Sequence, residues 1–279
     1  MRTIETALIA QETEKLIASA CLGIEPGALA ALRSAAASES SAAARFALDT
    51  LCQNAEIADE RGIAVCQDTG MAVVFLEIGQ EVRLAGAPLY DEINAAVGRA
   101  YKQNYFRMSV CDPITRINTG DNSPAVIHTD IVAGDKVTVS FLPKGFGSEN
   151  MSRLFMLSPS EGMEGVKAAA VTAVREAGAN PCPPVIVGLG LGGTSDLVML
   201  NAKKALLRSV GTLNPDARLR ELEAELLGEI NALGIGAQGF GGSTTALAVH
   251  IIAAPTHIAS LPVGINIQCN SARFARTEI

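Results

Sequence analysis

Cysteine, amide, carboxylate and hydroxyl stand in a row at Cys66, Gln67, Asp68 and Thr69, closed by Gly70 and followed by the apolar run MAVVFLEIG. A thiolate can be a nucleophile or a ligand for iron–sulfur clusters, a carboxylate can carry a proton, and an amide can hold a hydroxyl or carboxylate. A cysteine that only filled a core would have apolar neighbours. Two more cysteines share such a setting: Cys182 inside NPCPP, and Cys269 at the end of LPVGINIQC before NSAR. Any one of them alone is more often a structural thiol. Three at element boundaries, beside Pro, Gly or polar groups, point to convergence. Three thiolates can hold three corners of a 4Fe–4S cluster and leave the fourth iron open as a Lewis acid for a hydroxyl or carboxylate. Their wide separations match no short motif, so spacing alone leaves the structural reading open.

The other cysteines have plainer surroundings. Cys21 and Cys52 fall on predicted helices as buried small hydrophobes, and Cys111 in SVCDP is taken as structural. No C-x-x-C occurs, so zinc ribbons and thioredoxin chemistry have no support. His128 and His250 lie on predicted strands and are assigned structural roles. Gly188, Gly190 and Gly193 in GLGLGG satisfy G-x-G-x-x-G, which raises a nucleotide-binding alternative. That alternative needs a second strand ending in an acidic residue about 20 positions on, and here the sequence continues as helix.

The elements that must position these groups follow from periodicity and punctuation. Helices are expected over the first 20 residues, over EPGALAALRSAAA with Pro26 in its first turn, and over SSAAARFALDTLCQNAEIADERG. IAVC and MAVVFLEIG read as strands around the QDTG turn, and PLYDEINAAVGRAYKQNYF as an amphipathic helix. AVIHTDIVAGDKVTVSFL reads as a hairpin about AGD, after a polar loop too long for a simple connection. PKGFGSENMSRL is a glycine-punctuated loop, and the prolines of NPCPP predict extended backbone. A helix over EGMEGVKAAAVTAVREAG precedes NPCPP. The strand VIVGLGLGG, two helices and the buried strands STTALAVHIIAAP and LPVGINIQC complete the chain. The expected class is α/β: a mainly helical part over 1–62, then a mixed sheet flanked by helices over 63–279, as one large domain.

Composition bounds the function. In 279 residues, 48% are hydrophobic and 18% charged, which fits a globular chain rather than a disordered one. A net charge of −7 argues against general binding to nucleic acid or to a membrane surface. The N-terminal residues carry acidic groups and no uninterrupted apolar core, so no signal peptide is expected, and no charge-free apolar run reaches the ~18 residues of a membrane span. Six cysteines without an export signal suggest a reducing, cytoplasmic setting.

Five stretches in order, CQDTG, NTGDNSPAVIH, KGFGSENMS, NPCPPVIVGLGLGGT and APTHIASLPVGINIQCN, resemble the iron–sulfur (class I) fumarate hydratase family and its relative, the tartrate dehydratase α chain. The resemblance runs from about residue 1 to the C-terminus. It implies a 4Fe–4S cluster on Cys66, Cys182 and Cys269. It also implies substrate contacts from Gln67, Arg107, Gly145 and Gly147, with proton-transfer or positioning roles for Asp68 and His257. The last implied ligand lies close to the end, which the resemblance reads as an α subunit whose site is completed by a separate β chain, with an α₂β₂ or α–α assembly and a small dicarboxylate substrate. KGFGSENMS resembles the fumarase form, so reversible dehydration of (S)-malate to fumarate is the expected reaction. L(+)-tartrate dehydratase or a mesaconase-type hydratase are the alternatives. A non-enzymatic iron sensor or assembly module is disfavoured, because sensing does not need Gln67, Asp68, Arg107 and His257.

Overall fold

Alanine-rich faces give helices and β-branched runs give strands along most of these lines. In the computed structural model, which describes residues 2–279, the chain opens with β1 (Arg2–Glu5), α1 (Thr6–Leu22), α2 (Pro26–Ser38) and α3 (Ala42–Arg61). There follow β2 (Met71–Gly79), β3 (Val82–Ala85), α4 (Leu89–Gln103), β4 (Val126–Val132), β5 (Val137–Lys144) and the short α5 (Phe146–Glu149). The rest is β6 (Arg153–Leu157), α6 (Gly162–Ala177), β7 (Val185–Leu191), α7 (Ser195–Ala205), α8 (Ala217–Asn231), β8 (Ala246–Ala253), β9 (Leu261–Gln268) and β10 (Ala275–Glu278). The mixed α/β class is as the sequence reads. Packing divides the chain into two compact units that alternate along it: residues 2–24, 57–146 and 273–279 form one, and 25–56 with 147–272 the other.

In the first unit a four-stranded sheet runs β10-β5-β2-β4, with β1 and β3 as a separate parallel pair. Ile9, Leu16 and Ile17 of α1 and Ile93, Val97 and Tyr101 of α4 share one core with Val74, Leu76, Val139 and Phe141 of the sheet. The expected hairpin is split. β4 pairs parallel to β2 and β5 antiparallel to it, so β2 lies between them. The connection crosses the end of β2, where Gly79 donates to Lys136 O and Gln80 to Val132 O. A Cβ on Gly79 would overlap the Gly134 carbonyl, so the crossing needs glycine there. Ile63–Cys66 is not the strand expected. Ile63 N bonds Ala58 O and Val65 N bonds Cys21 O, so the preceding helices take the donors a sheet would use.

The second unit has the sheet β6-β9-β7-β8, antiparallel except for β7 with β8. Alternation assigns its faces. Val187 and Leu189 of β7, Val263, Ile265 and Ile267 of β9 and Val249 and Ile251 of β8 meet α6 and α8 in one core. The opposite set, Gly188, Gly190, Gly264, Asn266 and His250, faces α7. A Cβ on Gly188 would overlap the Ala202 carbonyl, and one on Gly190 the Val198 carbonyl. These glycines let a helix settle onto the sheet. Gly188 and Gly190 lie inside β7 rather than in a loop, and this close packing against α7 is a structural reason for glycine at both positions. The short strands β1, β3, β6 and β10 carry too little pattern to be read from sequence.

Within Thr6–Ser38 an 18-residue window reaches a mean hydropathy of 1.4, although charged residues interrupt the stretch, as the sequence reads. The stretch is two helices broken at Gly23–Glu25, and the apolar side of α1 lies in the first unit's core.

Gly190→Ala is expected to lower unfolding free energy by about 1–3 kcal/mol in a denaturant titration, because α7 must lift from β7. A second expectation concerns pH. His250 is buried, its Nδ1 has no hydrogen-bond partner among the described residues, and its pKa is pushed down to about 4 by burial and then by Arg208, with the Ala205 carbonyl opposing. The fold therefore holds the ring neutral. Its contribution is complete above pH 6.5, where the unfolded ring is also neutral, and is lost as pH falls toward 4. Stability should drop on the order of 2 kcal/mol between pH 7 and pH 5 by this group alone, and His250→Gln should flatten that slope.

Candidate active site

Residues 63–70 form an irregular turn between α3 and β2, and side chains from three directions hold its backbone. The buried Tyr101 hydroxyl, from α4, lies 2.8 Å from Thr69 O and 3.0 Å from Gly70 O. Asn122 donates Nδ2 to Gly70 O at 3.1 Å, while its Oδ1 accepts from Ser109 N at 2.7 Å and Val110 N at 3.1 Å. Arg273, buried just before β10, donates Nη2 to Asp68 O at 2.8 Å. Thr69 donates its hydroxyl to Arg107 O at 3.1 Å. Gly70 has φ +75°, and a Cβ there would come within 2.7 Å of the Pro143–Lys144 backbone.

Asp68 closes the turn onto the next loop. Its Oδ1 accepts from Gly70 N at 3.0 Å and its Oδ2 from Phe146 N at 2.9 Å. Gly145 makes room, since a Cβ there would stand 3.2 Å from Asp68 Oδ2. Burial pushes the Cys21 thiol up to about 12, Arg273 pulls it down, and Cys66 adds to the rise. Burial likewise raises the Tyr101 phenol. Both stay neutral near pH 7, and the Arg273 guanidinium is buried beside them.

In the second unit the Cys182 and Cys269 segments meet. Cys182 is exposed and has φ +55°, a left-handed turn rather than the extended backbone expected of NPCPP. Its N–H donates to Ala179 O. Its carbonyl accepts from Asn270 N at 3.2 Å and Asn270 Nδ2 at 2.7 Å, which ties it to the residue after Cys269. Cys269 Sγ lies 2.9 Å from the Ser271 hydroxyl. Gly147 is close to the Asn180 carbonyl.

The expected residues thus fall into groups. Cys66, Gln67, Asp68, Arg107 and Gly145 share the first unit's turn, with Gln67 and Arg107 exposed and Asp68 and Cys66 half-buried. Cys182, Cys269 and Gly147 lie near one another in the second unit. His257 stands on a separate exposed loop. It accepts at Nδ1 from Ala259 N at 3.1 Å, which leaves Nε2 to carry the proton of the neutral ring. Among the described residues no group of three or more His, Cys, Asp or Glu side chains is gathered as a metal site. The donor chemistry still fits a thiolate-bound cluster. Cys66, Cys182 and Cys269 reach solvent, whereas burial raises the thiol pKa of Cys21 and Cys52 and keeps them protonated.

Sequence reasoning missed Tyr101, Asn122, Asn270 and Arg273. Tyr101 sits at an ordinary apolar position of an amphipathic helix, and the other three lie in polar loops where an Asn or Arg is commonplace.

A family model described as fumarate hydratase (Fumerase) matches residues 10–278. A Methanocaldococcus jannaschii protein, provisionally named L(+)-tartrate dehydratase subunit alpha, is 44% identical over 255 residues, covering 89% of this chain and 90% of its own. The L(+)-tartrate dehydratase subunit alpha of Escherichia coli K12 is 30% identical over 235 residues, covering 83% of this chain and 77% of its own.

Removing one hydroxyl tests the clamp on the turn. Tyr101→Phe leaves the Thr69 and Gly70 carbonyls short of a buried donor and should cost about 1–3 kcal/mol of unfolding free energy, read from a denaturant midpoint.

Proposed function

Because the chain belongs to the fumarate hydratase family of hydro-lyases, we propose that it is the α-type subunit of a two-chain dehydratase for a small hydroxy-dicarboxylic acid, with L-tartrate ahead of malate. The observation that carries this reading is near full-length similarity to chains named as tartrate dehydratase α subunits. The form of KGFGSENMS put malate first; the relatives' names favour tartrate. Their designation as alpha subunits supports a β partner, and an α₂β₂ or α–α assembly in the cytoplasm remains our proposal.

In the proposed reaction a hydroxyl leaves one carbon as water and a proton leaves the adjacent carbon. Arg107, exposed and anchored at its carbonyl by Thr69, offers a guanidinium that can take a carboxylate through two N–H groups. Gly145 and Gly147 let backbone N–H groups approach the second carboxylate. Gln67 presents an amide to a substrate hydroxyl. Asp68 spends one lone pair of each oxygen on a backbone N–H and keeps others for the leaving hydroxyl, where it holds or moves a proton. His257 donates from Nε2 to a substrate oxygen. Cys66, Cys182 and Cys269 are the proposed ligands of a 4Fe–4S cluster. Bound there, a cluster with one iron free of thiolate supplies a Lewis acid for a hydroxyl and a carboxylate.

The test is anaerobic reconstitution of the chain with its β partner, followed by initial rates on L-tartrate, malate and a mesaconase-type hydroxy acid. We expect kcat/KM for L-tartrate to exceed that for malate by about tenfold or more; the reverse order restores the malate reading. Cys182→Ser should lose cluster absorbance and turnover together. Lost turnover with the absorbance intact would make Cys182 a nucleophile instead.

A further inference from the structure

One strand position in the second unit buries an amide on the face that packs against α7. Asn266 sits on β9 between Ile265 and Ile267, fully buried, and its Oδ1 has no hydrogen-bond partner among the described residues. Its Nδ2 donates to Glu149 Oε2 at 2.8 Å and lies 2.8 Å from Ser152 Oγ. Lys203, on α7, donates Nζ to Glu149 Oε1 at 2.6 Å. A flipped amide would turn its oxygen onto the carboxylate, so Glu149 fixes the orientation seen. A buried carbonyl left unsatisfied costs about 1–3 kcal/mol, a cost that valine would avoid. Fold stability therefore does not explain an asparagine here.

What the cluster holds is the end of α5. Glu149 is the last residue of that four-residue helix, and the first, Phe146, gives its N–H to Asp68. One helical turn is too short to hold itself and must be fixed from its ends. We propose that Lys203 and Asn266 are positioning residues: by holding the Glu149 carboxylate they fix α5, and with it the Gly145–Gly147 turn, in the geometry that receives the substrate carboxylate. This rests on the hydro-lyase reading above, with that turn at the substrate. Neither residue touches substrate, so their removal acts on binding through the loop.

The experiment uses the reconstituted two-chain enzyme with Lys203→Met, Lys203→Arg and Asn266→Val, assayed on the diacid that the wild type dehydrates. Lys203→Met should raise KM about tenfold and change kcat less than about threefold. Lys203→Arg, which keeps a donor on Glu149, should recover most of the loss. Asn266→Val should raise KM in the same way without lowering the denaturant midpoint. Hydrogen exchange at the amides of 146–149 should quicken in Lys203→Met and Asn266→Val, whether or not substrate is present. Wild-type KM together with wild-type exchange in both variants overturns the inference. A wild-type complex that dehydrates none of the diacids sinks the function reading instead, and exchange at 146–149 then still decides whether the cluster holds the turn.

Discussion

The Asp68 carboxylate takes a backbone N–H on each oxygen, from Gly70 within its own turn and from Phe146 at the start of α5. That pair of bonds makes one object of two loops. Behind it, the carbonyls of Asp68, Thr69 and Gly70 accept from Arg273, Tyr101 and Asn122. A shift of the turn would strand several buried polar groups at once, each worth about 1–3 kcal/mol when left unpaired. Such a turn is stiff, and stiffness is what the proposed role of Asp68 at a substrate needs. An Asp that merely capped a turn would require only the Gly70 bond.

The second unit reaches a fixed geometry by a different route. Three missing Cβ atoms, at Gly188, Gly190 and Gly264, let α7 lie close against β7 and β9. A face packed so tightly leaves little room for water, so its polar residues must find partners within the protein. Asn266 finds Glu149 and Ser152, while His250 stays neutral because burial and Arg208 oppose its charge. Cys182 sits at the rim of this unit in a left-handed conformation that a non-glycine residue adopts at some cost, held by Asn270 at its carbonyl and Ala179 at its amide.

Much of this was legible beforehand, and the failures have physical causes. Helices α2, α3, α4, α6, α7 and α8 follow from periodicity and caps, as do the long strands β2, β7, β8 and β9. The hairpin over 126–144 was misread because its two strands carry the same local pattern whether they pair with each other or on either side of β2. Only Gly79, where the connection crosses, marked the difference. NPCPP was read as extended from proline rules that do not see hydrogen bonds from Asn270. Within the site, the residues able to do chemistry stood out in short polar motifs. Those that hold them did not, because a buried Tyr on an amphipathic helix looks like any core aromatic.

The two leading substrates differ by one hydroxyl, and that limits which residues can choose between them. A pocket that merely tolerates an added hydroxyl discriminates weakly, whereas one built to hydrogen-bond it leaves a buried polar group unpaired when the smaller diacid binds. Discrimination in favour of tartrate therefore needs a side chain committed to the second hydroxyl. In the roles proposed here, the backbone N–H groups of Gly145 and Gly147 and the guanidinium of Arg107 all address carboxylates, which both diacids share. Glu149, the acidic residue of the same loop, is already engaged by Lys203 and Asn266. KGFGSENMS is thus weak ground for naming the substrate, since its groups bind what the candidates have in common. An exposed amide such as Gln67, or a group from the proposed β chain, is the kind of residue that can tell them apart.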